Sequence, residues 1–311
     1  MANQAGSKSF LSLVEAVDNV PYDFDFSSLY QLLLPDDPRP HGFMLPSIVE
    51  KMPWSAEFEV DHKSRTVQLL DSSGGEHTLE ACNSSFHTTI DAAIDQDLFA
   101  SVHGKHSEMY RILGANQFTC LERFTASLFG IAARGAHLTA FVRTTGGLKI
   151  WIPRRSPTLF TYPDMLDTTV AGGVKADNTP FECIVAEADE EASLPADFVN
   201  KNTVATGVVT YLTRGKATSA IRPDVIYVFD IELPESIVPV PKDGEVAEFM
   251  LLSVDEVKGA MFRGEFKPNC NLVMIDFFMR HGIITPENEA DYVEIAMRLR
   301  RKLPVPTVPS L

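Results

Sequence analysis

Apolar residues recur at helical spacing over Phe10 to Val17 and again over Phe26 to Leu34, where the proline-rich stretch Pro35 to Pro40 reads as a turn that ends the pattern. The rhythm then becomes alternating. Ala56 to Val60 and Thr66 to Leu70 flank Asp61-His62-Lys63 and predict a β-hairpin. Glu76 to Phe99 carries Leu79, Ile90, Ala93, Ile94 and Leu98 at mixed helical spacing, giving one or two helices. From Phe129 onward strands dominate. Leu138 to Val142 and Leu148 to Ile152 are joined by a glycine-containing hairpin connection, and Asp167 to Val174 ends on paired glycines before a helix over about Thr179 to Ala192. Val204 to Leu212, Val225 to Leu233 and Glu248 to Leu251 read as further strands. Helices are expected over Ser253 to Gly259, Asn271 to His281 and Pro286 to Leu299, the last with a capped start at Thr285. The fold class is therefore α/β in the α+β sense, with a smaller mixed domain at 1–128 and a larger one at 129–305.

Composition narrows what such a chain does. With 311 residues, 45% of them hydrophobic and 22% charged, it is long enough for two globular domains of roughly 100 to 200 residues each. A formal charge of -15 and the lack of a clustered basic stripe argue against a nucleic-acid surface. No run reaches the roughly 18 consecutive apolar residues of a membrane span, and the start carries no secretory pattern. The expectation is a cytoplasmic protein with no membrane or nucleic-acid partner, and with homo-oligomer formation left open. Cys82, Cys120, Cys183 and Cys270 lie far apart and read as reduced thiols.

The sharpest chemical signal is Glu187, Glu190 and Glu191, which follow Gly172-Gly173 on the expected helix. Relative positions 0, 3 and 4 spread them over roughly 100° of one helical face, opposite Phe181, Ile184, Val185, Ala188 and Ala192. Like charges at this spacing each cost a helix a few tenths of a kcal/mol, so a compensating Mg2+ or Mn2+ is the simplest reading. Other candidates are weaker. His103 and His106 lack a third ligand and read as a loop, and Trp151 and Tyr162 are as consistent with packing as with stacking on a ligand.

From Gly172 through Asn178 to the run Ala186–Leu194, the chain resembles the Nudix box, Gly-x5-Glu-x7-Arg-Glu-U-x-Glu-Glu-x-Gly-U, in unbroken register. Gly172, Glu187, Glu190, Glu191 and Leu194 match, while Asn178, Ala186 and Ser193 depart. Pro153-Arg154-Arg155-Ser156, Thr161-Tyr162-Pro163, Met165-Leu166-Asp167 and Lys267-Pro268-Asn269-Cys270 resemble the Nudix subgroup linked to thiamine pyrophosphate metabolism, which carries an N-terminal companion domain.

The resemblance implies a Nudix-type mixed sheet sandwiched by helices and a hydrolase that cuts an organic pyrophosphate by attack of water on phosphorus. Glu187, Glu190, Glu191 and Glu245 would hold Mg2+ or Mn2+, with Glu187 and Glu190 catalytic and Glu190 a third ligand or water-activating base. Arg154, Arg155, Tyr162, Gly172 and Gly173 would contact substrate. The substrate implied is thiamine pyrophosphate or its oxidised, damaged analogues, giving the monophosphate and phosphate. Alternatives are a general hydrolase of nucleoside-diphosphate derivatives, or a non-catalytic pyrophosphate-binding module that has lost the functions normally supplied at Asn178 and Ala186.

Overall fold

The computed structural model describes residues 9–101, 108–215 and 218–310. His103 and His106 lie outside them. The chain opens with α1 (Phe10–Glu15), then β1 (Tyr30–Leu34), β2 (Asp37–Met44), α2 (Pro46–Lys51), β3 (Phe58–Asp61), β4 (Thr66–Leu69) and α3 (Thr78–Asp95). A two-stranded ladder of β5 (Met109–Arg111) and β6 (Cys120–Glu122) and the short α4 (Ala126–Phe129) complete the N-terminal half. Its four-stranded sheet has the order β2-β1-β4-β3. Leu32, Val67 and Leu69 pack beneath Cys82 and Phe86 of α3.

Two expectations fail here for a shared reason. Phe26 to Leu34 is not a helix: Phe26–Ser28 forms one 3-10 turn capped by the Asp25 carboxylate, and Tyr30, Leu32 and Leu34 then face the core at the two-residue spacing of a strand. Pro38 and Pro40 do not end the pattern either, because they lie in β2. That strand is at the sheet edge, where a residue without an N–H breaks no ladder.

The C-terminal half contains β7 (Ala133–Thr144), β8 (Gly147–Arg155), β9 (Val170–Gly173), α5 (Pro180–Ala192), α6 (Ala196–Asn202), β10 (Val204–Arg214), β11 (Ile221–Glu232), β12 (Val246–Ser253), α7 (Val254–Arg263), α8 (Pro268–Arg280) and α9 (Tyr292–Arg298). Strand order is β10-β11-β7-β8-β12. β11 runs parallel to β7, and β9 pairs antiparallel with the first part of β7. Alternation splits the sheet between two cores. Ala136, Leu138, Ala140 and Val142 meet Ile184, Ala188 and Ala192 of α5, whereas Phe141, Ile150, Ile152 and Ile226 meet Phe277 and Phe278 of α8. The expected helix from Pro286 begins only at Tyr292: Thr285 and Asn288 close a turn, with the Thr285 N–H donating to Asn288 Oδ1 at 2.9 Å.

The two ends of the chain cross over. Leu13, Val14 and Val17 pack into the core built around α8 and α9, and buried Asp18 accepts from the Leu212 N–H at 3.0 Å and from Arg301 at 2.9 Å. In return, Leu303 and Val305 pack with Val20, Leu29 and Phe43, and Arg39 donates to the Val308 carbonyl at 2.9 Å. No helix among the described residues is long and apolar enough to cross a membrane.

Candidate active site

The site is built on the end of β9, where backbone space is the limiting quantity. A Cβ on Gly172 would lie 2.2 Å from Glu187 Oε1, and one on Gly173 would lie 2.3 Å from the Tyr110 hydroxyl. Successive strand residues face opposite sides, so Gly172 admits the carboxylate and Gly173 admits the N-terminal half. α5 starts from a capping box in which Thr179 Oγ1 accepts from the Glu182 N–H and the Glu182 carboxylate accepts from the Thr179 N–H, with Pro180 at the first helical position. It ends at Ser193, which takes the left-handed conformation (φ 52°) usually left to glycine and donates its hydroxyl to the Val240 carbonyl.

The three α5 carboxylates do not share one solvated face. Glu190 is exposed and Glu187 half-buried, whereas Glu191 is 7% exposed and sits among the core residues of the helix. Glu191 Oε2 accepts from the Ala171 N–H at 3.2 Å. Burial, reinforced by the nearby charges of Glu190 and Glu245, pushes the Glu187 carboxyl up to about 7. Burial likewise holds the Glu191 carboxyl well above the usual carboxylate range, reinforced by Glu187 and Asp167. Glu245, whose carbonyl accepts from the Ser156 N–H at 2.7 Å, is thus brought beside the helix from the loop before β12. Among the described residues none of these four carboxylates forms an ion pair. Carboxylates that raise one another's pKa, one of them buried and none paired with a cation, offer the hard oxygen ligands that Mg2+ or Mn2+ takes.

Arg154 and Arg155 are engaged elsewhere. Arg155 donates to Asp167 at 3.0 Å and to the carbonyls of Thr161 and Tyr162, which clamps the loop between β8 and β9. Arg154 binds Glu248 and the Asp164 carbonyl. Tyr162 is 47% exposed at a left-handed φ of 50°. None of the three lines the cavity described next, although Gly172 and Gly173 do. Trp151 is buried in the core against α5.

That cavity, about 320 Å³, opens on the other side of the glycine pair. Tyr110, Arg123 and Phe124 supply one wall from the N-terminal half; Arg134, His137, Tyr211, Arg222, Asp224, Lys267 and Asn269 supply the rest. Arg222 and Asp224 are two apart on β11 and therefore on one face, with Nε donating to Oδ2 at 2.9 Å. The i, i+2 pattern was available in the sequence. Nothing in the sequence joined Tyr110 or Arg123 to the glycines.

Beneath the cavity, His137, Asp167 and Cys270 place one ligand atom each within 4.8 Å of one another, the spacing of a metal triad. Their partners point to another role. Asp167 already accepts from Lys267 at 3.2 Å, Arg155 at 3.0 Å, the Thr168 N–H at 2.8 Å and the Cys270 thiol at 2.7 Å. With two cations on the carboxylate and the Cys270 thiol held well above its usual range by burial, this is a filled hydrogen-bond centre that fixes Lys267 at the cavity floor.

Comparison with known proteins agrees with this geometry. A family model described as the NUDIX domain matches residues 134–270. The Saccharomyces cerevisiae protein YJR142W is 34% identical over 322 residues, covering 96% of this chain and 93% of its own length. Nudix hydrolase 20, chloroplastic, of Arabidopsis thaliana is 37% identical over 205 residues, and the match spans about half of that protein, 54%. A Nudix hydrolase of Deinococcus radiodurans is 30% identical over 121 residues, covering 36% of this chain and 70% of that one. With the glycine pair, the carboxylates of α5 and the helix-flanked mixed sheet all in place, the chain belongs to the Nudix hydrolase family.

Proposed function

We propose that the protein hydrolyses thiamine pyrophosphate or its oxidised analogues to the monophosphate and phosphate, in a reaction that depends on Mg2+ or Mn2+. The observation that carries this reading is the pairing of an unneutralised carboxylate cluster with a cavity across one glycine edge. Arg123, Arg134, Arg222 and Lys267 face that cavity against the single carboxylate of Asp224, and burial pushes His137 down to about 3, leaving it neutral. Arg123, Arg222 and Lys267 are already paired with Glu108, Asp224 and Asp167, so the wall offers hydrogen-bond donors rather than a carboxylate free for a cationic ring, which favours a neutral, carbonyl-bearing ring and hence the oxidised analogues within this substrate class.

A divalent cation supplies a water of lowered pKa and neutralises diphosphate oxygens. Glu187 and Glu191 would hold it, with Glu245 beside them. Glu190, exposed one turn along the same helix, would serve as a further ligand or take a proton from the attacking water. Lys267, held by Asp167, would pair with phosphate oxygens from the cavity floor.

The test is incubation with Mg2+ and a panel of thiamine, oxidised thiamine, nucleotide-sugar and dinucleotide pyrophosphates. The expected outcome is fastest release of monophosphate from the oxidised thiamine compound, abolished by chelator and reduced by about two orders of magnitude or more in Glu191→Gln. Nucleotide derivatives cleaved an order of magnitude faster would replace this reading with a general nucleoside-diphosphate-derivative hydrolase. Full activity of Glu191→Gln would remove the assigned site.

A further inference from the structure

We propose that Tyr110 and Arg123, both outside the stretch that carries the Nudix domain, are specificity residues that read the non-phosphate part of the substrate, so that the binding site is shared between the two halves of the chain. This rests on the pyrophosphate reading above. The first observation is how closely the N-terminal half is seated on the catalytic edge. The Tyr110 hydroxyl and the Arg123 guanidinium lie 2.3 Å and 3.4 Å from where a Gly173 Cβ would be. The seating is fixed at two points, where the Ala176 N–H donates to the Met109 carbonyl at 2.8 Å and Lys175 pairs with Glu108 at 3.4 Å, and Glu108 in turn receives Arg123 Nη1 at 2.6 Å.

The second observation is what remains of Arg123 after that pairing. Its side chain is 40% exposed, its guanidinium stands 5.7 Å from the ring centres of both Tyr110 and Phe124, and it faces a cavity whose far wall carries Arg222 and Asp224. A guanidinium held by one carboxylate oxygen retains further N–H groups in a fixed plane. A planar heteroaromatic ring entering between these walls would present its acceptor atoms to Arg123 and its face to the neighbouring aromatic rings. None of the α5 carboxylates lines this cavity, although Arg123 is close enough to feel the charge of Glu187. Arg123 therefore acts on which substrate binds, while the phosphate chemistry stays with α5.

The experiment compares the full-length wild type with Arg123→Ala, Arg123→Lys and Tyr110→Phe on the best ring-bearing pyrophosphate and on a simple alkyl diphosphate. The quantity read is the ratio of the two kcat/KM values. Arg123→Ala is expected to lower this ratio about tenfold or more, mainly through KM for the ring-bearing substrate, as loss of a charged hydrogen bond does. Arg123→Lys and Tyr110→Phe are expected to lower it about threefold, and Arg123→Lys decides the matter if the alanine variant does not fold. An unchanged ratio, whether both activities fall together or neither moves, overturns the proposal, since that is the signature of a purely structural ion pair with Glu108.

If wild type cleaves no pyrophosphate, the functional reading fails and this one is read separately. Thiamine monophosphate and its ring-oxidised form are then titrated calorimetrically into wild type and Arg123→Ala. Equal affinity in the two proteins, or no binding to wild type, overturns it.

Discussion

At the scale of single residues, burial has replaced simple charge as the organising quantity. Glu187, Glu190 and Glu191 look equivalent on a helical wheel, yet the fold exposes one, half-buries the second and encloses the third. His137 makes a comparable case with a measurable sign. It is 4% exposed, its Nδ1 is 2.8 Å from Thr168 Oγ1, and burial together with the Lys267 charge lowers its pKa to about 3. The unfolded chain therefore takes up a proton that the folded one refuses. The stabilising contribution is complete above about pH 6.5 and falls as pH drops through the window down to about 3, with about 2 kcal/mol lost by pH 5. Urea unfolding at pH 7 and pH 5 should show this slope in wild type and a shallower one in His137→Gln. Equal slopes would show that the ring is not buried neutral. His41 is lowered in the same direction by burial, so only the difference between variant and wild type isolates His137.

At the scale of elements, the decisive contact is β5–β6 against the end of β9. The Gly172-Gly173 pair was legible in the sequence, but the chain pattern assigns it one role and the structure gives it two. Gly172 clears Glu187 and Gly173 clears Tyr110. Gly173→Ala should therefore cost activity by pushing the Tyr110 hydroxyl out of the cavity wall. Tyr110→Phe in the same chain should recover part of the loss, because the next atom, Tyr110 Cζ, is 3.2 Å from the added carbon. Measuring kcat/KM for the two single variants and the double variant checks this. A double variant no better than Gly173→Ala would place the damage in β9 itself. The arginines of β8 show the converse. Arg154-Arg155 reads as a phosphate fork in sequence, and the fold pairs both with carboxylates of the β8–β9 loop and of β12, Arg155 with Asp167 and Arg154 with Asp164 and Glu248.

At the scale of the whole molecule, the crossed chain ends make the two halves interdependent. Asp18 is 1% exposed and faces Arg301, itself 6% exposed, and Arg298 at 3.4 Å. Asp18→Ala would strand a buried guanidinium and should destabilise the protein by about 3 to 5 kcal/mol. In differential scanning calorimetry this appears as a lower Tm for one transition that includes both halves. Separation into two peaks, with only one of them shifted, would show that the crossed ends do not couple the halves.

The sequence by itself determined the strand-glycine-helix unit and its chemistry, because the box residues are close in the chain and their spacing is set by local helix and strand geometry. It also determined most of the strands of the mixed sheet, whose alternation survives in the two cores. Tertiary structure decided which carboxylate is buried, which arginines are spent on loops, that Phe26 to Leu34 is half turn and half strand, and that Tyr110 and Arg123 reach Gly173 across about 50 to 60 residues of chain. Those outcomes depend on desolvation and on contacts distant in sequence. Local periodicity does not encode either one.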